Sequence, residues 1–132
     1  VMKDGQPFMI LGSPGGDDQV MRTMQTLINV IDFGMNVQQA IEAPRFLVPR
    51  DPADTIGTGP RVEIEDRFPR WIMQDLVARG HRFQKIGRKG ELRYGYASGV
   101  LVDTLRGRVE GGADPRRSHA AVAVEGGAAL SQ

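Results

Sequence analysis

Residues 12–46 read GSPGGDDQVMRTMQTLINVIDFGMNVQQAIEAPRF, and the order of signals within them decides the fold. An apolar run, PFMIL at residues 7–11, enters a proline and two adjacent glycines. A long helical pattern follows at once. Val20, Met21, Met24, Leu27, Ile28 and Ile31 recur at helical spacing with polar residues between them, which predicts an amphipathic helix with that stripe buried. Asp17 and Asp18 stand where the first helical amides need acceptors, and Gly34 suits the carboxy-terminal cap. Asn36 offers a new cap with Gln39 in the capping-box position, so a second, short helix is expected to run to Pro44.

Outward from this stretch, KDGQP at residues 3–7 reads as a hairpin turn feeding the first strand. Residues 49–60, PRDPADTIGTGP, read as a loop. RVEIE (61–65) alternates like a half-buried strand, and Asp66 is expected to cap a helix over RFPRWIMQDLVARG with Pro69 in its first turn. Phe68, Ile72 and Leu76 share one face of that helix, and Gly80 ends it. Strands are expected at HRFQKI, ASGVLVD and RVEGGA, with a basic turn at GRKGE. Trp71, Tyr94 and Tyr96 read as packing residues, and the small-residue tail from residue 118 to 132 as a fraying end. The order is α+β with hairpins rather than a regular βαβ alternation, in one unit over residues 1–132.

Composition removes several classes of function. The 132 residues carry 17 basic and 16 acidic side chains, a formal net charge of +1, so neither nucleic acid nor an anionic membrane is expected as partner. With no cysteine and only His81 and His119, no metal site is expected, and no cofactor motif is present. No apolar stretch approaches the roughly 20 residues of a membrane span.

The junction GSPGG then has to be explained. A phosphate loop would need a lysine and a hydroxyl residue where Asp17 and Asp18 stand, and no G-x-G-x-x-G is present. Two readings remain open. The glycines make a tight turn, or the amides of Gly15 and Gly16 face a cleft and stabilise developing negative charge. A second constellation, GGADPRRSHAAVAV, begins at Gly111. Asp114 before Pro115 favours an extended or turn conformation, Arg116 and Arg117 read as solvated ahead of a buried ion pair, and Arg45 in EAPRF reads as a snorkelling side chain. Ser98, Ser118 and His119 form no triad motif.

Taken together and in order, GSPGGDDQVMRTMQTLINVIDFGMNVQQAIEAPRF and GGADPRRSHAAVA resemble the carboxy-terminal part of the small subunit of the gamma-glutamyltranspeptidase family. The resemblance implies an N-terminal nucleophile hydrolase with an αββα sandwich, incomplete in this chain. It implies a self-cleaving precursor whose small subunit opens with a threonine. That threonine attacks a γ-glutamyl amide, as in glutathione, and passes the acyl group to water or to an amino acid or peptide. It also implies that Gly15 and Gly16 hold the oxyanion, and that Arg116 is structural rather than a substrate ligand.

The family's nucleophile and its glutamate-gripping residues lie upstream. Thr23, Thr26, Thr55, Thr58 and Thr104 do not replace that nucleophile. The isolated chain is therefore expected to be inactive, with the upstream part of the same precursor as its partner, where any targeting signal would also lie. Its open strand edges are expected to make it poorly soluble alone. Three alternatives stay open: a non-catalytic scaffold of the same fold, a glutaryl or cephalosporin acylase-type amidase, and a small anion-binding module, against which the acidic pair argues.

Overall fold

The computed structural model describes residues 1–14, 16, 18–48, 61–86, 97–104, 106–116 and 120–122. The expected loop at 49–60, the basic turn, both tyrosines, Gly15, Asp17, Arg117, Ser118, His119 and most of the tail lie outside the described residues.

The chain opens with a hairpin of β1 (Met2–Lys3) and β2 (Gln6–Pro7), turned through Asp4 and Gly5. Both turn residues have positive φ, 51° and 76°, as a two-residue hairpin turn of the primed kind requires. β3 (Met9–Gly12) then pairs antiparallel with β7 (Ser98–Asp103), which pairs antiparallel with β8 (Arg108–Ala113). A second three-stranded sheet holds β4 (Phe46–Leu47) antiparallel to β5 (Val62–Glu65), and β5 parallel to β6 (Phe83–Ile86). The β5–β6 link runs through α3 (Arg70–Ala78), making a parallel βαβ unit, while the other strand pairs among the described residues are antiparallel.

α2 (Val37–Glu42) lies against β7 and β8, and glycine permits the approach. A Cβ on Gly112 would stand 2.5 Å from Val37 Cγ1 and 3.0 Å from Ile41 Cδ1. The helix begins as expected: Gln39 N–H donates to Asn36 Oδ1 at 2.8 Å and Asn36 N–H to Gln39 Oε1 at 3.2 Å. It stops at Glu42 because Ala43 precedes a proline and turns extended (ψ 145°). Met9, Val30, Val37 and Ala40 form a core cluster, with Leu11, Leu27 and Leu101 packed against it.

α1 (Asp18–Ile31) reverses the expected burial. Its buried row is Asp18, Arg22, Thr26 and Val30, while Val20 (72% exposed), Met24, Ile28 and Ile31 face outward. Only Met21 and Leu27 of the expected stripe are half-buried. Polar side chains can occupy the inner row because each finds a partner there. Thr26 Oγ1 donates to Arg22 O at 3.1 Å, and the Gln25 amide, beside that row, pairs with both backbone groups of Phe46 at 2.9 and 3.0 Å. The Gln38 amide of α2 does the same for Ala113, at 2.9 Å each way. Two glutamines thus extend the helices into the strand ends as side-chain rungs.

Three smaller expectations are corrected. Asp66 does not cap α3, because Pro69 takes the N-cap position and the helix starts one residue later. Trp71 is not packed but 70% exposed, on a helix with no fully buried residue. In β5 the glutamates do not face water, since Glu63, Ile64 and Glu65 are all buried. Gly80 ends α3 as expected: at φ 93° it donates to Val77 O, while His81 N donates to Leu76 O.

Candidate functional site

The junction between β3 and α1 is built around an arginine that sequence reasoning passed over. β3 delivers Gly12, opposite Ser98 of β7. Gly16 takes φ 64°, in the left-handed region where a side chain is disfavoured, and its carbonyl accepts from Gln19 N at 3.1 Å to start the helix. Asp18 is the first helical residue, where a negative charge suits the helix dipole. Its carboxylate lies 4.0 Å from Arg22 Nη1. Arg22, only 1% exposed, reaches back along the helix. Its Nε donates to Ser13 Oγ at 3.0 Å and its Nη2 to Pro14 O at 2.7 Å.

The second site joins the two sheets. Asp114, 0% exposed, follows β8; Glu65 ends β5; Arg45 stands before β4. Arg45 Nη1 donates to Asp114 Oδ2 at 2.7 Å and Arg45 Nη2 to Ile41 O at 2.6 Å. Arg116 donates from Nε and Nη2 to the two oxygens of Glu65 at 2.6 and 2.8 Å, a bidentate pair, and from Nη1 to Asp114 Oδ1 at 2.9 Å. The same Nη1 donates to Ile41 O at 3.0 Å, and Nη2 donates to Ala43 O at 2.9 Å. Arg67 closes the outer side through Glu65 Oε2 and Glu42 O, both at 2.7 Å.

Three arginines therefore satisfy the last carbonyls of α2, where the helix dipole is negative. Backbone amides share the load on the carboxylates: Ala97 N donates to Asp114 Oδ2 at 3.1 Å and Arg45 N to Glu65 Oε2 at 3.0 Å. Arg45 is thus not a snorkelling side chain, and Arg116 is held in ion pairs rather than solvated. Both find acceptors that lie far along the chain.

Burial pushes the Asp114 carboxyl up, but Arg45 and Arg116 together hold it below the usual carboxylate range. Glu65 is lowered in the same way, with burial opposed by the hydrogen bonds and charge of Arg116, then by Arg45 and Arg67. Arg116 is raised, its burial outweighed by Glu65 and Asp114. Arg45 is lowered, by burial first and by the positive charge of Arg116 second, yet a guanidinium stays protonated in a protein. Among the described residues, no group of three metal-ligating side chains comes together.

The sequence profile of the family described as gamma-glutamyltranspeptidase matches residues 1–124. The chain belongs to that family. It is 33% identical over 124 residues to the glutathione hydrolase-like YwrD proenzyme of Bacillus subtilis, covering 94% of this chain and 23% of that protein. Among solved structures it resembles the cephalosporin acylase of Bacillus halodurans, at 35% identity and TM-score 0.78 over 95% of this chain and 22% of that one. It also resembles the T380A mutant of Helicobacter pylori gamma-glutamyltranspeptidase, at 27% identity and TM-score 0.71 over 89% of this chain and 58% of that one. The chain spans about a fifth of the length of the curated relatives it matches. It is α+β and accounts for part of an N-terminal nucleophile hydrolase fold.

Arg116→Ala removes one partner from a buried, hydrogen-bonded pair, and in the complete protein it should cost about 3–5 kcal/mol, read by denaturant unfolding. A raised KM with unchanged stability would instead make Arg116 a substrate ligand.

The cluster also sets a pH dependence. Asp114 and Glu65 are depressed in the folded state, so their contribution is present above the ordinary carboxylate range and lost as pH falls through it toward their folded values. Stability should drop below about pH 4, and Glu65→Gln should shrink that acid limb. An acid limb identical in the two proteins would contradict this.

Proposed function

We propose that this chain is the carboxy-terminal part of the small subunit of a γ-glutamyltransferase-like N-terminal nucleophile enzyme. In this reading it contributes backbone donors for the oxyanion rather than the nucleophile. A threonine upstream in the precursor, its hydroxyl proton taken by its own α-amino group, attacks the carbonyl of a γ-glutamyl amide. The carbonyl oxygen becomes an oxyanion, and the amides of Gly15 and Gly16 stabilise it. The amine leaves with the proton, and water or an amino acid then takes the acyl group from the threonine. The observation that carries this reading is the exposed Gly16 at φ 64°, in a loop tied down by Arg22, directly ahead of a 14-residue helix. The positive end of that helix favours negative charge at the same place.

The outward stripe of α1 supports the partnership this requires. Val20, Met24, Ile28 and Ile31 make a continuous apolar face on a helix whose inner row is largely polar. An exposed apolar face of that kind marks an interaction surface. Its occupant in this proposal is the upstream part of the same precursor, which supplies the remaining length seen in the relatives. The isolated chain is inactive in this account.

A second reading has its own support. The likeness to a cephalosporin acylase makes a glutaryl-type amide the alternative acyl donor, with the same oxyanion chemistry and no α-amino group to recognise. Chromogenic γ-glutamyl and glutaryl anilides assayed side by side separate the two. Turnover of neither by the matured protein would leave a non-catalytic scaffold.

The oxyanion role is tested by replacing the Gly16 amide with an ester in a semisynthetic complete enzyme. A kcat lowered about 10²–10³-fold at normal folding and maturation is expected. Unchanged kcat would make the glycine pair an ordinary turn.

A further inference from the structure

We infer that Arg22, seated by Asp18, is the residue that positions the Ser13–Gly16 loop for oxyanion binding, an inference that rests on the reading of that loop proposed above. An arginine in the second turn of a helix ordinarily reaches for solvent. This one is 1% exposed and turned back toward the start of its own helix. Among the described residues it holds the turn at different points, the Ser13 hydroxyl at 3.0 Å and the Pro14 carbonyl at 2.7 Å.

The consequence follows from backbone geometry. The pyrrolidine ring locks φ of Pro14, and Pro14 has no N–H to bond elsewhere. Holding its carbonyl oxygen then restricts ψ. With φ and ψ both held, the direction in which the chain leaves Pro14 on its way to Gly16 is set from the Arg22 side. Ser13 Oγ gives the guanidinium a second point, so the loop cannot pivot about the first. Asp18, at 4.0 Å from Nη1, holds the arginine from the helix side, and Thr26 bonds its carbonyl one turn on. A lysine has a single ammonium and cannot reproduce the two-point fork.

Arg22 touches neither substrate nor reacting atoms, so it is a positioning residue. Its signature is a fall in kcat with KM little changed, since the amide direction matters most when the oxyanion forms. In the complete, matured protein, assayed with whichever of the γ-glutamyl and glutaryl anilides it turns over, Arg22→Lys should lower kcat about tenfold to a hundredfold. KM should stay within about twofold, with matured yield near that of the parent. Ser13→Ala, which keeps the Pro14 contact, should lower kcat less and in the same sense. If Arg22→Lys does not mature, Ser13→Ala alone decides.

Unchanged kcat in the folded variants, whatever happens to their thermal stability, would make Arg22 a packing residue and overturn the inference. The Gly16 ester separates the two levels. An ester that lowers kcat beside an Arg22→Lys that does not would remove only the positioning role. An ester without effect would remove the oxyanion reading itself.

Discussion

At the carboxy-terminal end of α2, Arg45 and Arg116 share the carboxylate of Asp114, and Arg116 clamps Glu65 from the other side. They come from three separate stretches: Arg45 from the lead-in to β4, Asp114 and Arg116 from the segment after β8, and Glu65 from the end of β5. The charges are taken out of water, which is costly unless every donor and acceptor is well placed. Here the carbonyls of Ile41, Glu42 and Ala43 and the amides of Arg45, Ala97 and Arg116 add hydrogen bonds to the ion pairs. α2 is only six residues long and would be marginal alone. Its box at one end and the arginines at the other make it a fixed post between the two sheets.

From that post the candidate oxyanion loop takes its place through a short chain of contacts. α1 is docked to α2 by Asn29, which donates to Ala40 O at 3.3 Å, and to β4 by the Gln25 amide. Arg22 then carries the position of α1 into Ser13 and Pro14. Polar contacts do this work on the inner side of α1, which leaves its apolar residues free to face outward.

Local chemistry was legible in the sequence and distant partnership was not. The capping box at Asn36, the stop at Pro44, the Gly80 terminus and the β7–β8 hairpin all depend on residues a few positions apart, and all stand as read. Arg45 was opaque because its carboxylate lies 69 residues away. Glu65 was opaque because alternation assigns polar residues to water, whereas both faces of β5 are covered. For α1, periodicity picked out the apolar stripe but placed it inward, whereas most of that stripe faces outward and the inner row went to Asp18, Arg22, Thr26 and Val30. The parallel β5–β6 pairing was equally hidden, since strand order is a non-local choice. Family resemblance reached further than any of these, because it rests on several motifs in a fixed order.

The buried charges act as one unit and hold the sheets to α2. A double-mutant cycle on Arg45→Met and Asp114→Asn, read by denaturant unfolding of the complete protein, measures that coupling. Strong coupling is expected: the double variant should be less destabilised than the sum of the singles by about 1–3 kcal/mol. Destabilisations that add to within about 0.5 kcal/mol would contradict it, because independent sites behave that way.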